Sequence, residues 1–327
     1  MSGTLLLKQS EIKELITMKE VVDSVETAFK AYAEREVQMP AKEYLFFHEG
    51  DLRIMPCYVR SNEEAGVKCV NVHPKNPTEH QLPTVMAVIE LVDPETGFPM
   101  AVMDGTLVTD LRTGAAAGVA TKYLARPDSE TVGIIGAGKQ ACTQLMALNE
   151  VMDIKKAKVF CRTCSTRTNF AKTASKLYGF DVEAVETAEE AVRNVDVVVT
   201  TTPSRKPLIK VDWISPGTHI NAMGADAPSK QELETRLLLK SKIIIDSWDQ
   251  ASHSGEINVP VSQNVLKRKD IHAKLGDVVI GKETGREGDE ITIFDSTGLA
   301  VQDVVTAGLI YRRAREQGMG TDFNFMS

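Results

Sequence analysis

Residues 136–141, Gly-Ala-Gly-Lys-Gln-Ala, set small residues in a G-x-G-x-x-A pattern directly after the apolar stretch 132–135. The first glycine, Gly136, suits a tight turn. The second, Gly138, lets a pyrophosphate approach the backbone, and Ala141 lets the following helix lie close to the strand. The start of that helix adds unpaired N–H groups and a positive dipole end for an anion. A glycine triplet alone is weak, because turns are rich in glycine. Its position between a buried strand and a helix makes it a dinucleotide-binding motif. A site selective for NAD carries an acid about 20 residues further on, to hold the adenosine ribose hydroxyls. Here the stretch 157–160 runs instead into Cys161, Arg162, Thr163, Ser165 and Arg167. Guanidiniums and hydroxyls suit a 2′-phosphate, so the cofactor is expected to be NAD or NADP with a lean to NADP. Two solvated surface arginines are the alternative reading.

Other side chains could do chemistry. Lys68 is the odd polar residue among Val67, Cys69 and Val70. Strand alternation alone points it to solvent; the other reading sends it into a cleft. Asp226 follows the strand expected over 218–224, and the carboxyl ends of parallel strands are where ligands sit in open α/β sheets. A turn or capping aspartate is its alternative. Cys161 and Cys164 have no second pair or neighbouring histidines, so they read as small residues at a strand end. His73 reads as a turn residue. His253 and Glu256 lack a third ligand, and no metal site is expected.

Elements must position these groups. Thr17 with Glu20 makes a capping box, and Val21, Val22, Val25, Phe29 and Tyr32 recur at helical spacing, so the first regular element is expected to be a helix there. Short β-branched and aromatic runs over 44–92, broken by turn-prone stretches, predict a largely antiparallel sheet, with one more turn and strand before 105. Residues 106–125 read as a helix rich in Ala and Gly that allows close backbone approach. Apolar strands then alternate with helical stretches, the mark of a parallel sheet with crossover helices. The last helix carries Leu299, Val304, Val305, Leu309 and Ile310 on its apolar side and is expected to return to the first domain.

The chain has 327 residues, with 43% hydrophobic and 25% charged, which supports about two globular domains and leaves no room for a wholly disordered chain. A net charge of −7 provides no general positive field, so nucleic acid is not an expected partner. Five cysteines, an odd number, suit free thiols in a reducing compartment. With no run of about 20 apolar residues, no membrane association is expected and the protein reads as cytoplasmic.

Taken together, GVKCVNVHPKNP, LRTGAAAG, GIIGAGKQA, HINAMGADAPSKQEL and FDSTGLAVQD resemble the ornithine cyclodeaminase/μ-crystallin family. EYLFFHEGDLRIMP, TTTPSRKP and GEINVPVS look most like its archaeal-type alanine dehydrogenase branch. The resemblance spans essentially the whole chain. It implies an α/β protein: a Rossmann NAD(P)-binding domain over 113–301, and an α/β substrate-binding and dimerisation domain built from 1–112 with 302–327. A homodimer is implied as well.

The chemistry implied by the resemblance opens with hydride transfer from Cα of an amino acid, which leaves an imine. Arg53 and Arg112 match the family's carboxylate clamp, and Arg112 a cofactor contact too. Lys68 matches its proton-exchanging lysine, so the resemblance turns that side chain into the cleft. Asp226 matches its catalytic aspartate, activating water or taking the amine proton. Thr297 and Gly298 align with substrate contacts. Thr84, Gly136, Gly138, Lys139, Gln140, Arg162, Thr163, Thr202, Asn221, Ala222, Met223 and Ser296 align with cofactor contacts. The expected reaction is oxidation of L-alanine to pyruvate and ammonia. Alternatives are cyclodeamination of ornithine to proline, reduction of a cyclic ketimine, and a non-catalytic crystallin-like binding protein, against which Lys68, Arg112 and Asp226 all argue.

Overall fold

The computed structural model describes residues 3–325, which form two compact units: residues up to 112 with those from 299 onward, and residues 113–298. The first unit is built on strands β1 (Thr4–Leu7), β2 (Val37–Gln38), β3 (Glu43–Phe46), β4 (Asp51–Val59), β5 (Glu64–Val72), β6 (Val85–Val92) and β7 (Pro99–Asp104), with a C-terminal strand Thr321–Phe323. Their order is the C-terminal strand, β1, β7, β6, β5, β4, β2, with β3 also paired to β4. From β3 to β7 all neighbours are antiparallel, as the turn-punctuated sequence predicts. β1 is the exception. It lies parallel to β7 and antiparallel to the C-terminal strand.

The first regular elements are therefore β1 and the helix Gln9–Leu15, which precede the helix expected at Thr17. A four-residue apolar stretch is too short to show periodicity and becomes a strand because two neighbours flank it. The helix Met18–Ala33 follows, with Thr17 accepting from Glu20 N and the Glu20 carboxylate accepting from Thr17 N at 2.9 Å. Val21, Val22, Val25 and Phe29 are buried on it. The last helix, Ala300–Gln317, lies against Met18–Ala33 and across β4, β5 and β6. Val304, Val305 and Ile310 are buried, whereas Leu309 is only half-buried, at the margin of the stripe.

The second unit holds β8 (Thr131–Ile135), β9 (Lys156–Phe160), β10 (Asp181–Ala184), β11 (Val197–Thr200), β12 (His219–Ala222), β13 (Lys242–Ile245), β14 (Ala273–Lys274) and β15 (Thr292–Asp295). All pair in parallel, in the order β10-β9-β8-β11-β12-β15-β13-β14. The chain runs outward from β8 to β10, then returns to β11 on the other side of β8. That reversal is the topological switch point of a doubly wound fold, where the strand ends open a crevice. No helix among the described residues is long and apolar enough to cross a membrane.

Candidate active site

In the first unit, the pairing of Met55 with Lys68 and of Arg53 with Val70 puts Lys68 and Arg53 on one face of the sheet. Alternation holds, but the face that carries Lys68 is the covered one. Lys68 is 1% exposed, with Val70 beside it at 5%. Its Nζ lies 2.6 Å from Oδ2 of Asp303 on the last helix. Oδ1 of Asp303 accepts from Arg112 Nε at 3.0 Å, and Arg112 Nη1 donates to Gln302 Oε1 at 3.1 Å. One buried carboxylate therefore bridges a lysine and an arginine. Burial pushes the Lys68 ammonium down to about 7, with the Arg112 charge adding to the effect and Asp303 opposing it. Arg53 is held by Asp51, with Nε 2.8 Å from Oδ1, and its guanidinium lies over the Tyr44 ring. Thr84 precedes β6 in this unit, where its carbonyl accepts from His73 N.

In the second unit, Gly136 follows β8 with φ of +108°, and a Cβ there would stand 2.6 Å from Thr201 Oγ1. Only glycine sits there without strain. Gly138 is the N-cap of the helix Lys139–Val151 and offers no side chain to its first turn; a Cβ at Gly138 would meet nothing within 4 Å. The first turn thus starts with no side-chain cap and with open space beside its N-cap glycine, which fits a pyrophosphate. Lys139 and Gln140 open this helix. Ser296, just after β15, has a buried Oγ with no hydrogen-bond partner, as suits a polar ligand group.

One sequence expectation changes here. Arg167 is buried, pairs with Glu186 and donates to the Cys161 carbonyl, so it is spent on the protein and only Arg162 is exposed; Thr163 is exposed beside it. Asn221 is buried in β12, where its Nδ2 donates to Thr121 Oγ1 at 2.9 Å and its Oδ1 lies 3.2 Å from His219 Nε2. Its side chain is used inside the unit. Ala222 and Met223 are buried at the end of that strand. Asp226, in the loop that follows, is ion-paired with Lys230. Thr202 is tied to Glu232, and the Thr297 and Gly298 amides donate to Asp246.

Asp303 escaped the sequence reading. Its signal was a lone carboxylate on the stripe shared with Ala307, Ile310 and Ala314, all buried. A charge on an apolar helical stripe demands a buried partner, but its partner is 235 positions earlier in the chain, at Lys68.

A family model described as the ornithine cyclodeaminase/mu-crystallin family matches residues 2–318. The chain belongs to this family. Its relatives within the ornithine cyclodeaminase/mu-crystallin family include an alanine dehydrogenase of Archaeoglobus fulgidus, 50% identical over 98% of each chain. Among solved structures, one described as an archaeal alanine dehydrogenase dimer with bound NAD superposes with a TM-score of 0.95 at 50% identity, covering 99% of this chain and 100% of that one. The Δ1-pyrroline-2-carboxylate reductase of Thermococcus litoralis, in complex with NADH and L-proline, gives a TM-score of 0.95 at 42% identity, covering 98% and 100%.

Proposed function

We propose that this protein is an NAD(P)-dependent amino-acid dehydrogenase that converts L-alanine to pyruvate and ammonia as a homodimer. The observation that carries this reading is the Lys68–Asp303–Arg112 cluster, a fully buried lysine poised near neutral pH beside an arginine. Bound at the glycine turn, a nicotinamide dinucleotide supplies the hydride acceptor for Cα. Arg112 and Arg53 hold the substrate carboxylate, which fixes the direction in which Cα presents its hydrogen; such positioning is worth several kcal/mol, on the order of 7. Neutral Lys68 accepts the proton that the substrate ammonium must lose. Asp226 activates the water that hydrolyses the imine. Thr297 and Gly298 complete the substrate contacts. Asp303, Asp51 and Asp226 already face cations of the chain, and Asp246 is taken up by the Thr297 and Gly298 amides, so none is spare for a second substrate ammonium. That favours a short side chain over ornithine.

Reduction of a cyclic imine is the second reading, favoured by the likeness to the Thermococcus litoralis reductase. One assay separates them. Purified protein is incubated with L-alanine, L-ornithine or L-proline and with NAD or NADP, while reduced cofactor and free ammonia are followed together. Equal amounts of both from alanine are expected. Ammonia from ornithine without net reduced cofactor, or turnover of proline alone, overturns the alanine assignment. Arg162→Ala is expected to weaken NADP more than NAD; equal losses mean that no 2′-phosphate is read there.

A further inference from the structure

Three buried carboxylates of the second unit form a relay that the chemistry above does not use. Asp295, at the end of β15, accepts from Glu256 N at 2.9 Å and Ile257 N at 3.1 Å. The Glu256 carboxylate accepts from Glu232 N at 2.9 Å and Leu233 N at 2.6 Å. The Glu232 carboxylate in turn accepts from Thr202 N and Thr202 Oγ1, both at 2.7 Å, through Oε1, and from Gly224 N at 2.9 Å through Oε2. Each acid thus grips the backbone that carries the next. All three are fully buried.

The end of this relay lies beside the crevice. β11 and β12 stay paired through Thr200 and Ala222. Beyond that register the Glu232 carboxylate links the two segments, accepting from the backbone amides of both Thr202 and Gly224. Gly224 is glycine for this reason: a Cβ there would stand 2.5 Å from Glu232 Oε2 and 2.3 Å from the Thr202 carbonyl. A buried carboxylate is costly unless its hydrogen bonds are satisfied, so one spent on two loop amides holds those loops tightly.

We propose that Glu232 is a positioning residue for the dinucleotide, fixing the Thr202 loop and the Gly224 turn in one geometry so that they meet the nicotinamide end. This rests on the reading that a dinucleotide binds at the switch point. Glu256 and Asp295 hold Glu232 in turn, and no proton or electron moves through the chain of acids.

The test uses the full-length protein, NADH titrated by fluorescence, and steady-state kinetics with L-alanine or the substrate that the assay above identifies. In Glu232→Gln one acceptor becomes a donor facing an N–H, and charge-assisted bonds are worth about 1.5–3 kcal/mol, so NADH affinity is expected to fall roughly ten- to a hundredfold. KM for the amino acid at saturating cofactor is expected to stay within about twofold, a split that general loosening would not produce. Unchanged NADH affinity, or equal losses for both ligands, overturns the proposal. Should Glu232→Gln not fold, amide exchange in the wild type decides: slow exchange at Thr202 and Gly224 supports the proposal, and exchange as fast as in open loops overturns it. Gly138→Asp tests the underlying reading separately, because the space there admits a side chain and the new carboxylate would repel a pyrophosphate. Intact NADH binding in Gly138→Asp ends that reading; lost binding there with normal binding in Glu232→Gln ends only this proposal.

Discussion

At the scale of single residues, the proposed chemistry turns on one proton. Lys68 is held near 7 because burial and Arg112 outweigh Asp303. Oxidation of an amino acid needs the neutral amine, so its rate is expected to rise with pH through about 7. Reduction of the imine needs the ammonium, and its rate is expected to fall over the same range. Profiles of kcat/KM in both directions check the pair, and two profiles with the same slope would remove Lys68 from the role. Asp303→Asn deletes the charge that keeps the proton on Lys68, so the midpoint is expected to move to lower pH. A midpoint that stays or rises would contradict the electrostatics of the cluster. Lys68→Ala is expected to abolish turnover while leaving NADH affinity nearly intact, as a titration of the inactive variant would show.

At the scale of elements, close approach governs. A Cβ on Gly114 would stand 2.3 Å from the Thr143 carbonyl, so the small residues of the helix Gly105–Leu124 bring its backbone against the helix Lys139–Val151. Gly114→Val is expected to cost roughly 1–3 kcal/mol through overpacking and to weaken NADH binding, because the second helix carries the glycine turn. Thermal unfolding with NADH titration measures both, and an unchanged melting temperature would show that the contact can relax. The Ala- and Gly-rich stretch, the Thr17–Glu20 cap and the strand–glycine–helix run were legible because each signal is local. β1 was not, because a strand of four residues exists only through its neighbours. Asp303 and Glu232 stayed hidden for the same reason: a buried acid is recognised by the partner it meets in space, and nothing nearby in the chain names Lys68 or Thr202.

At the scale of the whole molecule, two buried groups, one in each unit, respond to pH with opposite signs. Burial pushes Asp295 up to about 8, with the Asp246 charge adding to it, so the folded second unit keeps a proton that the unfolded carboxyl releases near 4. This contribution is complete below that lower value and is lost as pH rises through about 8. Lys68 in the first unit runs the other way, since its folded state gives up a proton near 7 that the unfolded lysine keeps to about 10.4; its effect on stability therefore improves with alkalinity across that window. In Asp295→Asn the fall of melting temperature between pH 5 and 8 is expected to flatten, whatever the change at any one pH; an equally steep fall would show that this carboxyl is already ionised. The edge where Thr4 meets Phe323 carries a further consequence. The first unit is assembled from segments on both sides of the second in the chain, so without the segment from 299 onward the Lys68 ammonium has no Asp303 to receive it and β1 loses its antiparallel neighbour.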